Sequence, residues 1–302
     1  MAGGETDAAE PEWRRLNRAN WDERARVHLG PRGYNLTALR AGRGRLGLVE
    51  QELGPVDGLK ILHLQCHIGT DSLALAQRGA QVVGVDFSPT AIGAARRLSA
   101  ELGLADQTHF VQADVYEADR AVNDPHGFDR VFITWGTICW IPDLKNWARI
   151  IAHFLRPCGY LYFAEGHPAA LVFDDQTGAD PARPGFFWPY LLARGPLIEA
   201  DPRDYSDPEA RLANATTHQW LHPVGEVVTA LIEAGLRLDW LHEHEAVPWR
   251  MFDCLVEDAE GFFRWPDRAW LPLAYSLRAR AEEEEKIHHR GAEARRRGGR
   301  LG

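Results

Sequence analysis

Residues 60–87 combine side chains and spacing that suit a nucleotide-binding site. The apolar segment Ile61–Leu64 is followed by a turn ending in Gly69, and a second apolar segment ends in Asp86. A turn between a strand and a helix lets the backbone approach a ligand, and the helix amides favour electron-rich groups. An acid at the end of the second strand can accept both hydrogen bonds of a ribose diol. Asp114, after the third apolar segment, can accept a hydrogen bond from an adenine amino group.

An alternation of predicted strands and helices positions these residues. Short segments rich in Val, Ile, Phe and Tyr are typical of strands, and helical patterns separate them. We expect strands at KILHL, QVVGV, THFVQ, DRVFIT and YLYFAE, and helices at 70–78, 89–103 and 143–155, with Ser88 and Asp143 as N-caps. A strand (216–221), a helix (223–234), a strand (236–245) and an apolar segment (271–279) follow. This alternation predicts an α/β fold with a doubly wound, mostly parallel sheet.

The pattern divides the chain into six segments. The boundary of greatest interest is at residue 168, because residues 168–215 contain seven prolines and an aromatic cluster, which is typical of a long functional insertion. In order, the segments are a disordered N-terminus (1–11), a helical N-terminal cap (12–55) that opens with a helix at 12–28, a core (56–167), a lid insertion (168–215), the remainder of the core sheet (216–280) and a charged tail (281–302).

The order and spacing of these motifs resemble those of the class I S-adenosylmethionine (SAM)-dependent methyltransferases. That family's first turn reads D/E-x-G-x-G-x-G, whereas this chain reads His63-Leu64-Gln65-Cys66-His67-Ile68-Gly69 and keeps only the last glycine. The altered turn is similar to that of a variant subgroup that carries L-H-L-Q-C-H-x-G. The resemblance covers residues 60–165 and continues through Gly84–Pro89, Phe128–Val131 and Leu155–Gly159.

The resemblance implies a Rossmann-like methyltransferase fold with seven strands and SAM as the cofactor. The acid missing at His63 normally helps to hold the amino group of the cofactor's methionine end, and a neutral imidazole supplies no charge there. Gln65 and His67 replace glycines, so they must avoid left-handed backbone angles or adopt them under strain. The residues expected to bind the cofactor are Tyr34, His63, Gln65, His67, Gly69, Asp86, Phe87, Asp114, Val115 and Thr134.

Two histidines are candidates for a catalytic base, which methyl transfer needs only when the acceptor must lose a proton. His167 follows the predicted fifth strand, and His218 follows the lid insertion. Histidine suits proton transfer near neutral pH, although a hydrogen-bonded structural role is open for both residues. His242 and His244 share one face of a predicted strand, but no third ligand accompanies them, so we predict no metal site.

Composition and charge narrow the classes of partner. A net charge of −9 argues against a general nucleic-acid binder, which needs a basic surface. No apolar run reaches the roughly 18 residues of a membrane span. The four cysteines are widely spaced without a CxxC pair or a secretory signal, which predicts a cytoplasmic protein. The oligomeric state is open.

The sequence therefore predicts methyl transfer to a small-molecule acceptor, at O, N or C, by in-line displacement at the sulfonium. Trp135, Trp140, Trp188 and Trp220 lie in segments expected around that acceptor. A methyltransferase for a peptide or nucleic acid stays open, as does a SAM-binding protein that does not methylate. A nicotinamide enzyme fits less well, because His67 would obstruct the close approach of a pyrophosphate.

Overall fold

Seven strands form the central sheet of the computed structural model, which describes residues 10–47, 49–175, 185–191 and 195–282. Most of the strand residues are buried, because helices cover both faces of the sheet. The strands are β1 (Lys60–Leu64), β2 (Gln81–Asp86), β3 (Thr108–Gln112), β4 (Phe128–Thr134), β5 (Leu155–Gly166), β6 (Leu236–His244) and β7 (Ala274–Ala281).

The strand order is β3-β2-β1-β4-β5-β7-β6. Strands β1 to β5 run parallel, whereas β7 pairs antiparallel with both β5 and β6. Strand β1 pairs with β2 on one side and with β4 on the other, so the order in which strands are added to the sheet reverses at β1. Ligands bind at such topological switch points. The predicted fold, a mostly parallel seven-stranded sheet of the Rossmann-like methyltransferase type, is confirmed.

Eight helices flank the sheet in the described part of the chain. Ser88 Oγ accepts a hydrogen bond from Ala91 N at 3.0 Å, and Asp143 caps its helix through Asn146 N at 3.0 Å, as predicted. None of the described helices is long and apolar enough to span a bilayer. The helices are α1 (Glu12–His28), α2 (Thr37–Arg40), α3 (Val49–Leu53), α4 (Thr70–Ala76), α5 (Pro89–Glu101), α6 (Ala118–Ala121), α7 (Leu144–Phe154) and α8 (Val224–Glu233).

The insertion after β5 contains two short hairpins. Strand Phe173–Asp174 pairs with Gly185–Phe186, and Leu197–Ala200 pairs with Thr216–Gln219. The strand predicted at 216–221 therefore forms but pairs within this hairpin, whereas the sequence prediction assigned it to the core sheet. The insertion leaves the sheet where the sequence predicts the lid. Residues 176–184 and 192–194 of the predicted lid, residues 1–9 of the predicted disordered N-terminus and residues 283–302 of the predicted tail lie outside the described residues.

A second insertion, between β6 and β7, differs from the sequence prediction, which assigned all of 216–280 to the core sheet. Residues 245–273 leave that sheet and form a separate three-stranded sheet from Ala246–Val247, Val256–Glu257 and Phe263–Arg264. Strands of two residues are too short to produce a readable alternation of apolar and polar side chains. The apolar pattern therefore gave no sign of this insertion.

Candidate functional site

A cavity of about 540 Å³ opens at the carboxyl ends of β1 to β4. Its size lies within the roughly 300–1,000 Å³ typical of small-molecule sites. Nine of the ten residues predicted to bind the cofactor line it: Tyr34, His63, Gln65, His67, Asp86, Phe87, Asp114, Val115 and Thr134. Only Gly69 does not. A Cβ there would lie 2.8 Å from the Phe110 ring, so the turn against β3 requires glycine.

The turn after β1 has left-handed backbone angles at residues that are not glycine. Gln65 has φ 57° and His67 has φ 50°. Five described non-glycine residues have positive φ, and three of them, Gln65, His67 and Trp135, line the cavity. Such strained residues cluster at functional sites, where the surrounding structure must hold them. Of the two possibilities given by the sequence, Gln65 and His67 therefore adopt left-handed backbone angles under strain.

The carboxylate of Asp86, at the end of β2, is held by two backbone amides. One carboxylate oxygen accepts from His67 N and the other from Ser88 N, both at 2.9 Å. Burial raises the pKa of Asp86 to about 6. A carboxylate has about four lone-pair sites, so each oxygen keeps capacity for a further donor. Asp86 can therefore accept the two hydroxyl groups of a ribose.

Asp114, after β3, lies between the cavity and α1. It accepts from Tyr116 N at 2.9 Å, and Arg14 Nε of α1 lies 3.0 Å from its second oxygen. Burial raises the pKa of Asp114. Phe87 and Val115, which follow β2 and β3, line the same part of the cavity and offer apolar surface to a planar base.

The β4 side of the cavity contains a carboxylate that the sequence reasoning did not select. Thr134 Oγ1 donates to Asp71 Oδ2 at 3.1 Å, and burial raises the pKa of Asp71 to about 6. His63 is neutral, because burial lowers its pKa to about 3, and its Nδ1 lies 2.7 Å from Ser72 Oγ. The available signal was the position of Asp71, two residues after Gly69 at the start of α4.

Aromatic side chains form much of the remaining wall. Trp13 and Trp21 come from α1, Trp135 and Trp140 from the segment after β4, Tyr205 from the first insertion, and Trp249 from the second. The predicted tryptophan cluster is thus divided. Trp188 borders a different depression. Trp220 packs edge-on against Trp13 at 5.4 Å, behind the wall.

Neither of the two histidines proposed as catalytic bases lines the cavity. His167 N donates to Leu273 O at 2.9 Å, which turns the chain toward β7, and His167 Nε2 lies 3.1 Å from Glu243 Oε1. The backbone of His218 is paired with the side chain of Asn17. The geometry gives neither ring access to a ligand in this cavity, so the catalytic assignment stays a prediction without geometric support.

A buried chain of three side chains joins the cofactor turn to the first insertion. His28 Nδ1 lies 2.7 Å from His67 Nε2, and His28 Nε2 lies 3.2 Å from Asp204 Oδ2. Burial raises the pKa of Asp204, but hydrogen bonds from His28 and Ser206 outweigh it and hold that pKa well below its usual range. An ionised carboxylate only accepts, so His28 Nε2 donates to Asp204. Sequence reasoning missed Asp204 and His28, which are distant in the chain.

The buried face of α1 is polar where it meets the end of the first insertion. Asn17 donates to His218 O and accepts from His218 N, both at 2.8 Å. Asn20 Nδ2 donates to Asn214 O at 2.6 Å, and Glu23 accepts from Ala213 N at 2.7 Å. We call this set, with Arg24 on Asp204, the polar seam. It holds the helical cap and the insertion together beside the cavity.

Glu165, near the end of β5, organises the loop that carries Trp135. Its buried carboxylate accepts from the amides of Gly136 at 2.5 Å, Thr137 at 2.7 Å and Gly166 at 2.8 Å. Burial raises its pKa, although these bonds favour the ionised form. Glu165 is a positioning residue, because its contacts are with the loop rather than with the cavity.

The described residues contain no group of three or more His, Cys, Asp or Glu arranged to hold a metal ion. His242 and His244 do lie on one strand face, as the sequence indicated. His242 Nδ1 contacts Glu52 Oε1 at 2.6 Å, whereas His244 Nε2 is 2.8 Å from Ser276 Oγ.

Comparisons with known proteins agree with this geometry. A methyltransferase domain family matches residues 61–159. The ubiquinone biosynthesis O-methyltransferase of Leptothrix cholodnii is 30% identical over 120 residues, which are 40% of this chain and 49% of that protein. The 23S rRNA (uracil(1939)-C(5))-methyltransferase RlmD of Nitrosospira multiformis is 38% identical over 82 residues, 27% of this chain and 19% of that protein. The chain thus spans about half or less of these curated relatives.

Solved structures share the fold at low sequence identity. A SAM-dependent methyltransferase from Mesorhizobium loti superposes with a TM-score of 0.52 at 21% identity, over 80% of this chain and 95% of that chain. Residues 61–159 thus match a methyltransferase domain, and the chain shares the fold of a SAM-dependent methyltransferase.

Proposed function

We propose that this chain binds SAM in the cavity and transfers its methyl group to a small-molecule acceptor, at O, N or C. The observation that carries the proposal is Asp86, held at the end of β2 by two amides with acceptor capacity toward the cavity. When bound, SAM supplies a sulfonium methyl group open to in-line displacement.

The described side chains fit such a cofactor. Asp86 binds the ribose hydroxyls, while Asp114 accepts from the adenine amino group and Phe87 and Val115 enclose the base. His67 takes the place of a glycine in the turn, but His28 draws its ring toward α1, which leaves room for the ligand. Tyr34, Gln65 and Thr134 border the methionine end.

The walls of the cavity favour an uncharged or cationic acceptor with a planar ring. No Lys or Arg side chain lines the described cavity, whereas three aspartates and several tryptophans do. An anionic acceptor would therefore meet carboxylates without a compensating cation, and a phosphate backbone would find no basic contact. Aromatic faces attract planar and cationic groups. The name of the Leptothrix relative, an O-methyltransferase of ubiquinone biosynthesis, agrees with an oxygen acceptor.

The residues accelerate transfer mainly by alignment and by exclusion of water. Holding two reactants in line can supply roughly 7–11 kcal/mol in favourable cases. Tyr34 and Tyr205, whose hydroxyls lie 2.5 Å apart, close the cavity where the cap meets the first insertion. The two described histidines that line the cavity, His63 and His67, both have a pKa lowered to about 3 by burial, so an acceptor that reacts as a neutral nucleophile suits the site.

Isotope transfer tests the proposal. The full chain is incubated with methyl-labelled SAM and a bacterial extract, and the label is counted in small molecules, nucleic acid and protein. Label among the small molecules, lost in Asp86→Asn, supports the proposal. Label in RNA would instead favour the class of the Nitrosospira relative, for which its name is the only argument. Cofactor binding by calorimetry without label in any fraction would identify a SAM-binding protein that does not methylate.

A further inference from the structure

Asp71 is the least satisfied carboxylate in the cavity. Among the described residues Thr134 Oγ1, at 3.1 Å, is its only hydrogen-bond donor. Asp86 accepts from two amides, and Asp114 accepts from an amide and pairs with Arg14. Carboxylates away from bulk water are normally paired or fully hydrogen-bonded, because an unmatched charge is costly to desolvate. Asp71 therefore has acceptor capacity for a strong hydrogen-bond donor in the cavity.

The place of Asp71 in the sheet narrows the identity of that donor. Asp86 follows β2, whereas Asp71 contacts Thr134 at the end of β4, two strands away. Neighbouring strands lie about 4.8 Å apart, so these two acids mark points roughly 10 Å apart along the cavity. His63 on β1, between them, is neutral. Among the described lining residues, Asp71 is the next acidic side chain along the cavity from Asp86 toward β4.

We infer that the carboxylate of Asp71 binds the α-ammonium group of the methionine end of the cofactor. The inference rests on the proposed function, because it takes the cavity to bind SAM. An ammonium group offers three donors and a full charge, and charge-assisted hydrogen bonds are roughly twice as strong as neutral ones. Asp71 thereby supplies the charge that His63 cannot, from the start of α4 instead of from β1.

A purely structural role for Asp71 predicts the opposite stability effect. If Asp71 only holds Thr134 and α4, Asn at this position weakens the fold. If Asp71 instead binds a cationic group of the ligand, its unpaired charge destabilises the ligand-free protein at pH 8. The pKa of Asp71, raised to about 6 by burial, supports the same expectation. When folding raises the pKa of a carboxyl group, the folded protein loses stability as the pH rises through that value. Asp71→Asn should then raise the ligand-free melting temperature by about 2–4 °C.

Calorimetry with three ligands tests the contact on the full chain. The probes are S-adenosylhomocysteine, its desamino analogue S-adenosyl-4-thiobutanoate, and 5′-methylthioadenosine, which lacks the whole amino-acid end. Wild type should prefer S-adenosylhomocysteine over the desamino analogue by about tenfold to a hundredfold, the worth of a charged hydrogen bond. Asp71→Asn should remove most of that preference and leave the affinity for 5′-methylthioadenosine within about twofold. The matched variant Asp86→Asn should weaken all three ligands.

Several outcomes overturn the inference. One is equal affinity of wild type for S-adenosylhomocysteine and the desamino analogue, which needs no variant and so decides the matter even if Asp71→Asn fails to fold. The others are an unchanged preference in Asp71→Asn, or a parallel loss of 5′-methylthioadenosine binding with a lower melting temperature. Failure of wild type to bind any of the three ligands overturns the proposed function itself, and is thus distinct from failure of the Asp71 contact alone.

Discussion

Backbone strain and buried charge are concentrated in a few residues at the strand ends. Left-handed angles cost an L-residue roughly 1–2 kcal/mol, and Gln65, His67 and Trp135 all adopt them. Side-chain contacts offset this cost: Gln65 Nε2 donates to Thr137 O at 2.8 Å, and His67 reaches His28. The glycines expected in the turn are thus replaced by residues whose side chains attach it to neighbouring elements.

The raised pKa of Asp86 makes nucleoside binding dependent on pH. Only the ionised carboxylate can accept from both ribose hydroxyls, and its pKa in the ligand-free protein is about 6. Affinity for 5′-methylthioadenosine should be full above pH 7 and fall as pH drops through 6, with Kd rising up to about tenfold per pH unit. Calorimetry from pH 8 to pH 5 measures this. Asp86→Asn should bind weakly with a flat profile, and an equally steep profile in that variant would contradict the assignment.

Buried polar contacts, together with ring contacts of Tyr205, join the helical cap to the first insertion. Asn17, Asn20 and His28 of α1 are fully buried, yet each is matched by a backbone or side-chain partner from residues 204–218 or from the turn. Removing one partner of a buried pair leaves the other unsatisfied at a cost of about 1–3 kcal/mol. The alignment of the cap over the cavity therefore depends on individual hydrogen bonds.

Asn17→Ala should loosen the end of the first insertion. It strands both backbone groups of His218, so we expect global stability to fall by about 1–3 kcal/mol and amide exchange of residues 213–219 to quicken. Exchange mass spectrometry and chemical denaturation measure both effects. Arg26→Ala, on the exposed side of α1, is the control and should change neither. Normal exchange in Asn17→Ala would show that apolar contacts hold the insertion.

Some aromatic residues of the two insertions line the cavity, and others lie on the surface. Tyr205 of the first insertion and Trp249 of the second line the cavity, whereas Phe186 is 79% exposed. Trp249→Ala should lower kcat/KM for the acceptor by about tenfold or more and leave S-adenosylhomocysteine affinity unchanged, because an aromatic contact with the acceptor is lost. Phe186→Ala should leave both quantities unchanged. Turnover assays with any acceptor found by isotope transfer decide this, and equal losses in the two variants would contradict the geometry.

At the scale of the molecule, charge separates the acceptor classes. The chain carries a net charge of −9, and no cation lines the described cavity. Binding of nucleic acid by several phosphate contacts would make affinity fall steeply with salt. The negative net charge and the absence of Lys and Arg from the described cavity lining disfavour such phosphate contacts. They favour a small-molecule acceptor enclosed by aromatic side chains.

Methyl transfer to the acceptor should accordingly depend little on salt. Between about 50 and 200 mM NaCl, where a protein with 6–10 phosphate contacts loses roughly 10³–10⁵ in affinity, KM for the acceptor should change by less than about threefold. Bulk RNA should not compete. Steady-state kinetics across the salt series provide the measurement. A KM that climbs steeply with salt, together with inhibition by RNA, would assign the acceptor to nucleic acid.

Local sequence pattern was sufficient to predict the core of the fold and most of the candidate site. Strand patterns located β1 to β6, the apolar segment 271–279 overlaps β7, the Ser88 and Asp143 caps followed from residue type, and nine of ten predicted cofactor residues line one cavity. These features succeed because a parallel sheet brings the carboxyl ends of its strands to one edge, so positions in the chain translate directly into positions in the site.

What only the tertiary structure decided lies in contacts between distant segments. The His28–Asp204 contact joins positions 176 apart, and residue 249 reaches the cavity from an insertion without strand periodicity. His167 and His218 also lie outside the cavity, in contact with residues distant in the chain: Leu273 and Glu243 for His167, and Asn17 for His218. Asp71 illustrates both what the sequence determined and what only the tertiary structure decided. Its place two residues after Gly69 was visible in the sequence, but only the tertiary structure shows that Thr134 Oγ1 is the one hydrogen-bond donor to its carboxylate among the described residues.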